Sequence, residues 1–173
     1  MNRTIPNGAA ILLAFVRRME VGRDDRASYD FIYNNKQDKL PKPLTSMTYG
    51  DIIDAQPKWS KNFGSSAAGG YQCMRATLID LAKSNPSISG SDVNTPKLQD
   101  QLGFALLLRC DYELFVAGKT TRIEFSKRLA QERASFPVPA PTQGKWCRAR
   151  AVLLCRRRPQ QGTRLAGEGR GHP

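Results

Sequence analysis

Histidine is almost missing from this chain: among 173 residues there is one, His172, next to the C-terminus. Its scarcity argues against Ser-His or Cys-His nucleophilic catalysis and against a zinc site. The four cysteines, Cys73, Cys110, Cys147 and Cys155, form no C-x-x-C pair and show no metal-ligand spacing. Cys73 and Cys110 fall inside helical patterns and read as buried free thiols. Long apolar runs are lacking too. The stretch at 9–16 is eight residues, too short to span a bilayer. Arg17 and Arg18 follow it instead of preceding it, and no small-residue cleavage site comes after, so it reads as a buried amphipathic helix and not a signal peptide. Acidic residues are sparse, 15 against 27 Lys and Arg. The expectation is a chain made in the cytoplasm, with no membrane span and no cofactor.

What is present is enough for a core: 40% apolar and 24% charged residues are ordinary values for a globular domain. The net charge of +12 is unevenly spread. Residues 142–173 hold eight Lys and Arg against Glu168 alone, and residues 1–141 hold 19 bases against 14 acids. Basic charge fits a polyanionic partner, nucleic acid or anionic cell wall, without choosing between them. No helix clusters Arg and Lys as a recognition helix would, so specific nucleic-acid binding is not expected.

Local signals predict five helices and one small extended region. Asn7 reads as the cap of a first helix running to about Met19, with Gly22 ending it. Residues 29–33 alternate enough to form a short strand, closed by a turn at Asn34-Asn35. Thr48 and Asp51 form a capping-box-like start for a helix to about Trp59. A third helix is expected over 71–83, with Met74, Leu78, Leu81 and Ala82 at core spacing. Thr95-Pro96 opens a fourth that runs to about Ala117 and stops at Gly118, and Thr121 with Glu124 opens a fifth to about Ala134. The fold class is α+β, predominantly α. Leu12, Phe15, Leu78, Leu106, Phe115 and Phe125 are expected core residues.

Two segments about fifty residues apart carry chemistry. Met19-Glu20-Val21-Gly22 leaves one carboxylate at the end of an apolar run. A carboxyl group in apolar surroundings keeps its proton near neutral pH, which is what a general acid needs. At 65–72, Ser65-Ser66-Ala67-Ala68-Gly69-Gly70-Tyr71-Gln72 is a small-residue turn ending in an aromatic and an amide. Close backbone approach, stacking and hydrogen bonding suit a sugar. Ser66 either bonds near Glu20 or forms the turn, Asp30 orients a loop or assists the acid, and Tyr33 is a candidate cleft aromatic.

The order Glu20, Tyr29-Asp30, Ser66 to Gln72, Arg128-Leu129-Ala130 and Ala134-Ser135-Phe136-Pro137 resembles phage endolysins of the lambda type and related prophage muramidases, over roughly residues 8–141. The resemblance implies a lysozyme-like domain at 1–141 that cleaves the glycosidic bond between N-acetylmuramic acid and N-acetylglucosamine, acting as a monomer on peptidoglycan strands. It implies Glu20 as the catalytic acid, with Tyr71, Gln72, Ser66, Asp30 and Tyr33 near substrate. Such enzymes act as lytic transglycosylases: a substrate hydroxyl attacks intramolecularly, a 1,6-anhydro sugar forms, and one glutamate serves as acid and then base. Hydrolysis would need a second carboxylate, and Asp24, Asp25, Asp30, Asp51 and Asp54 are all open for it. A chitin-directed hydrolase, a non-catalytic wall-binding relative and a nucleic-acid-binding basic protein are the alternatives. The resemblance also places synthesis in the host cytoplasm, with holin-dependent release to the wall. Two positions depart from it: Gly70 stands where an arginine is more usual, and Arg133 where a tryptophan often precedes Ala-Ser.

Residues 142–173 read as a basic, disordered tail, possible in origin as a shifted reading frame. Residues 151–162 can be encoded so that reading one base later gives Gln-Ser-Tyr-Tyr-Ala-Gly-Asp-Gly-Leu-Asn-Lys, similar to the segment that follows Pro-Val-Pro in related prophage muramidases. A frameshift near 145–151 is therefore expected, and a tail dispensable for folding.

Overall fold

The computed structural model describes residues 3–132. The expected boundary at 141, the tail at 142–173 and Arg133 lie outside the described residues. Within them the chain is predominantly helical: α1 (Asn7–Val21), α2 (Tyr49–Phe63), α3 (Arg75–Ser84), α4 (Pro96–Arg109), α5 (Tyr112–Val116) and α6 (Arg122–Glu132). The expected strand at 29–33 is replaced by a 3-10 turn at Arg26–Asp30 and a single antiparallel bridge between Ile32 and Ala68. Further isolated bridges join Thr48 to Val93 and Ala68 to Cys73, and no sheet forms among the described residues. Local bonding explains the lost strand: the Ser28 amide and hydroxyl both donate to the Asp25 carbonyl, at 3.0 and 2.6 Å, and curl the chain before Tyr29.

α1 buries Ala9, Leu13, Val16 and Arg17, the i, i+4, i+7, i+8 stripe of an amphipathic helix. Pro6, not Asn7, is its N-cap. It ends at Gly22, whose φ of 80° lets its N–H reach the Arg18 carbonyl at 3.0 Å. Phe15 is a correction: it is 46% exposed, on the same side as Ile11 and Met19, at four-residue spacing.

The capping box of α2 is complete. Thr48 Oγ1 accepts from the Asp51 amide, and Asp51 accepts from the Thr48 amide, both at 3.1 Å. α2 runs past Trp59 to Phe63 and contains Pro57, which has no N–H for the Ile53 carbonyl. Arg75 Nε donates to that carbonyl at 3.0 Å and satisfies it.

α3 begins at Arg75, four residues later than expected, and Met74 is its exposed N-cap. Residues 69–72 instead form a turn closed by the Ala68–Cys73 bridge. The expected long fourth helix breaks at Asp111, in the left-handed region at φ 63°. The break lets Tyr112 and Phe115 turn toward α6, where Phe115 stacks on Phe125 at 4.6 Å between ring centroids and Tyr112 packs against Phe125 and Phe104. Arg128 of α6 pairs with Asp111 at the break.

Candidate active site

Glu20 lies half-buried on the last turn of α1. One turn earlier, Arg17 points inward from a core-phase position. Residues three apart on a helix are neighbours, with about 5–6 Å between their Cβ atoms, so Arg17 and Glu20 share one turn. Arg17 Nη1 donates to the Tyr71 hydroxyl at 2.6 Å and to Asp100 Oδ1 at 3.1 Å, and Nη2 donates to the Asp24 carbonyl at 3.3 Å. The guanidinium also lies over the Tyr29 ring, 4.6 Å from its centroid. Tyr29 and Tyr71 both donate their hydroxyls to Asp100 Oδ1, at 2.8 and 2.5 Å. Three side chains, from α1, the 26–30 turn and the 69–72 turn, thus converge on one carboxylate oxygen of α4.

This arrangement joins the turn of α1 before Glu20 to the 69–72 turn. A Cβ placed on Gly70 would sit 2.7 Å from Arg17 Cδ and 3.1 Å from its Cγ. The space above Gly70 is therefore filled by the stem of Arg17. A side chain at 70 and Arg17 in its present place exclude each other. Gln99, buried on α4, holds the same turn from the other side. Its Oε1 accepts from the Gly70 amide at 3.0 Å, and its Nε2 donates to the Tyr29 and Asn94 carbonyls.

The candidate substrate residues divide into those near this cluster and those serving it. Tyr71 is 2% exposed, so its ring is a core element and not a surface for a sugar face. Burial first, and the Asp100 charge second, push its hydroxyl far above the ordinary tyrosine value. Burial, then hydrogen bonding to Asp100, does the same to Tyr29. Gln72 is half-buried at φ 46°, and its side-chain amide donates to the Gly69 carbonyl at 2.8 Å, stabilising the turn. Tyr33 is 37% exposed beside that turn, because its amide bonds the Ala67 carbonyl at 3.1 Å while Gly69 bonds Phe31 at 2.8 Å.

Asp30 and Ser66 serve the scaffold. Asp30 accepts from the Thr45 amide at 2.8 Å and pairs with Arg26, tying the 26–30 turn to the segment before α2. Ser66 is buried at the start of the small-residue turn. Its Oγ accepts from the Arg75 amide at 3.4 Å and its carbonyl accepts from the buried Gln56 amide at 2.7 Å. Ser66 thus faces α3 and α2, where it lines a groove with Met74, Arg75, Ile79 and Lys83.

Arg17, Asp100 and Gln99 were absent from the sequence-based set. A signal exists for Arg17, which keeps the helical phase of Leu13 and Ala9, but not for Gln99 and Asp100, which stand in the polar stretch that opens α4. Among the described residues no group of three or more His, Cys, Asp or Glu side chains could hold a metal ion. No helix of the described residues is long and apolar enough to cross a membrane. Compared with protein-family models, curated proteins and solved structures, the chain matches none of them.

Proposed function

We propose that this chain is a peptidoglycan-cleaving endolysin of the lysozyme-like class, with Glu20 as its single acid and base. The reading is carried by one observation. The half-buried Glu20 sits on the helix turn that is joined through Arg17 to the Gly70-Tyr71 turn, where Gln72 is half-buried and Tyr33 is exposed nearby. A half-buried carboxyl can deliver a proton to a glycosidic oxygen. With Glu20 alone as catalytic carboxyl, the lytic transglycosylase route follows: protonation of the leaving oxygen, attack by the substrate's own hydroxyl, and a 1,6-anhydro product. The bond broken is that between N-acetylmuramic acid and N-acetylglucosamine, and the partner is the glycan strand, met by a monomer after holin-dependent release from the host cytoplasm.

The test is turbidity clearing of purified peptidoglycan by wild type and Glu20→Gln, with mass spectrometry of the fragments. Clearing lost in the variant, with anhydro ends in the wild-type digest, is expected. Ordinary reducing ends alone would make the enzyme a hydrolase. Equal clearing by both proteins would remove Glu20 as the acid.

A further inference from the structure

We propose that Arg17 is a positioning residue for Glu20, fixing the end of α1 so that the carboxyl is held at a set place. The role rests on Glu20 being the acid. Glu20 is bracketed by the two ends of one side-chain bridge: Arg17 lies three residues before it, and Arg17 Nη2 bonds the carbonyl of Asp24, four residues after it. The backbone from 17 to 24 is thereby closed into a ring with Glu20 near its middle. Arg18 strengthens the same closure, binding the Asp24 carboxylate at 2.5 Å. The other guanidinium nitrogen anchors this ring to Tyr71 and Asp100, on two further elements.

Packing alone does not account for an arginine here. Its side chain is only 9% exposed, and its Nε has no hydrogen-bond partner among the described residues. Burying a guanidinium with one N–H unmet opposes folding, and a methionine of similar stem length would fill the space without that cost. What methionine cannot do is hold three segments at fixed distances, because it has no planar fork of donors. Last helical turns fray when little ties them, and the end of α1 is otherwise closed only by the Gly22 N–H on the Arg18 carbonyl, two residues after Glu20. A carboxyl that must meet one glycosidic oxygen loses rate when its mean position drifts by an ångström.

The experiment measures kcat and KM on soluble wall fragments for wild type, Arg17→Met, Arg17→Lys and Glu20→Gln, with Tm for each. Arg17→Met should lower kcat at least thirtyfold while KM stays within threefold, because Arg17 is buried and itself touches no substrate. Arg17→Lys should recover only part of the rate, since one ammonium cannot hold Tyr71 and Asp24 together. In Arg17→Ala, millimolar guanidinium should restore a measurable share of kcat, which a general loss of stability would not permit. Amide exchange in Arg17→Met should speed up at residues 18–22 and leave α4 unchanged. Glu20-dependent activity that survives Arg17→Met, or a rate loss that only follows the unfolded fraction, overturns the positioning role alone. Equal activity of wild type and Glu20→Gln removes the acid itself and this role with it.

Discussion

Gly70→Ala tests the join between the two halves of the site in its most direct form. Gly70 does not occupy the left-handed region, unlike Gly22, Gly64, Gly69 and Gly118, so alanine is strained there by contact alone. Its Cβ would lie 2.7 Å from Arg17 Cδ, a distance real Cβ atoms do not show. A free arginine stem would swing aside at little cost. This one is held at its far end by Tyr71, Asp100 and Asp24, so relief means shifting the turn or breaking charge-assisted bonds. Overpacking of this kind costs about 2 kcal/mol, which lowers Tm by roughly 8 °C in a domain of this size. In an Arg17→Ala background both offending atoms are gone, and the next neighbour, the Ser28 carbonyl oxygen at 3.4 Å, makes an ordinary contact. There Gly70→Ala should be neutral or stabilising by about 0.5 kcal/mol through reduced chain entropy in the unfolded state. Urea unfolding of the four proteins of this cycle gives the coupling directly, expected at about 2 kcal/mol. Equal costs of Gly70→Ala in both backgrounds would refute the packing argument.

Two pH-dependent outcomes follow from the same structure. Tyr29 and Tyr71 are held protonated in the folded state above their ordinary value of 10.0. Their contribution is therefore complete below about pH 10 and is lost as pH rises above it, because the unfolded chain gives up those protons first. Urea midpoints measured from pH 8 to 11 should fall, and Tyr71→Phe should flatten the slope; an unchanged slope would contradict the burial of that hydroxyl. Asp51 titrates in the opposite sense. Its bonds from the Thr48 amide and then the Thr48 hydroxyl hold its carboxyl below the ordinary 3.8, so its contribution is present above that value and lost as pH falls through the lowered one. Asp51→Asn should lower Tm at pH 7 and approach wild type in strong acid, and a gap independent of pH would exclude the capping box as its source.

The starts of α2 and α4 were legible because a cap is a local device: Thr48 with Asp51, and Thr95 before Pro96, need only the next three residues. The break at Asp111 was not, since its cause is tertiary. Arg128 and the ring of Phe125 reward a bend that the apolar spacing of residues 98–117 gives no reason to expect. The start of α3 was misplaced for a similar reason. Tyr71 has helical phase with Leu78, yet its hydroxyl is claimed by Asp100, and the chain turns at Gln72 to let it go there. At the site, polarity misled where phase would not have. Phe15 reads as core and Arg17 as surface by hydropathy, but Arg17 lies four residues after Leu13 and eight after Ala9, on the buried stripe, while Phe15 lies off it. A charged residue in core phase implies a buried partner, but with Glu20 in the same helix turn the sequence gives no reason to look for one far along the chain. The acid that Arg17 reaches is Asp100, 83 residues away, set between Gln99 and Gln101 in the polar first half of α4 where nothing by hydropathy marks it. Nor can sequence supply the third contact, from Arg17 to the Asp24 carbonyl, because backbone oxygens are the same at every residue. Only the folded geometry selects that one, and it is the contact that closes the chain around Glu20.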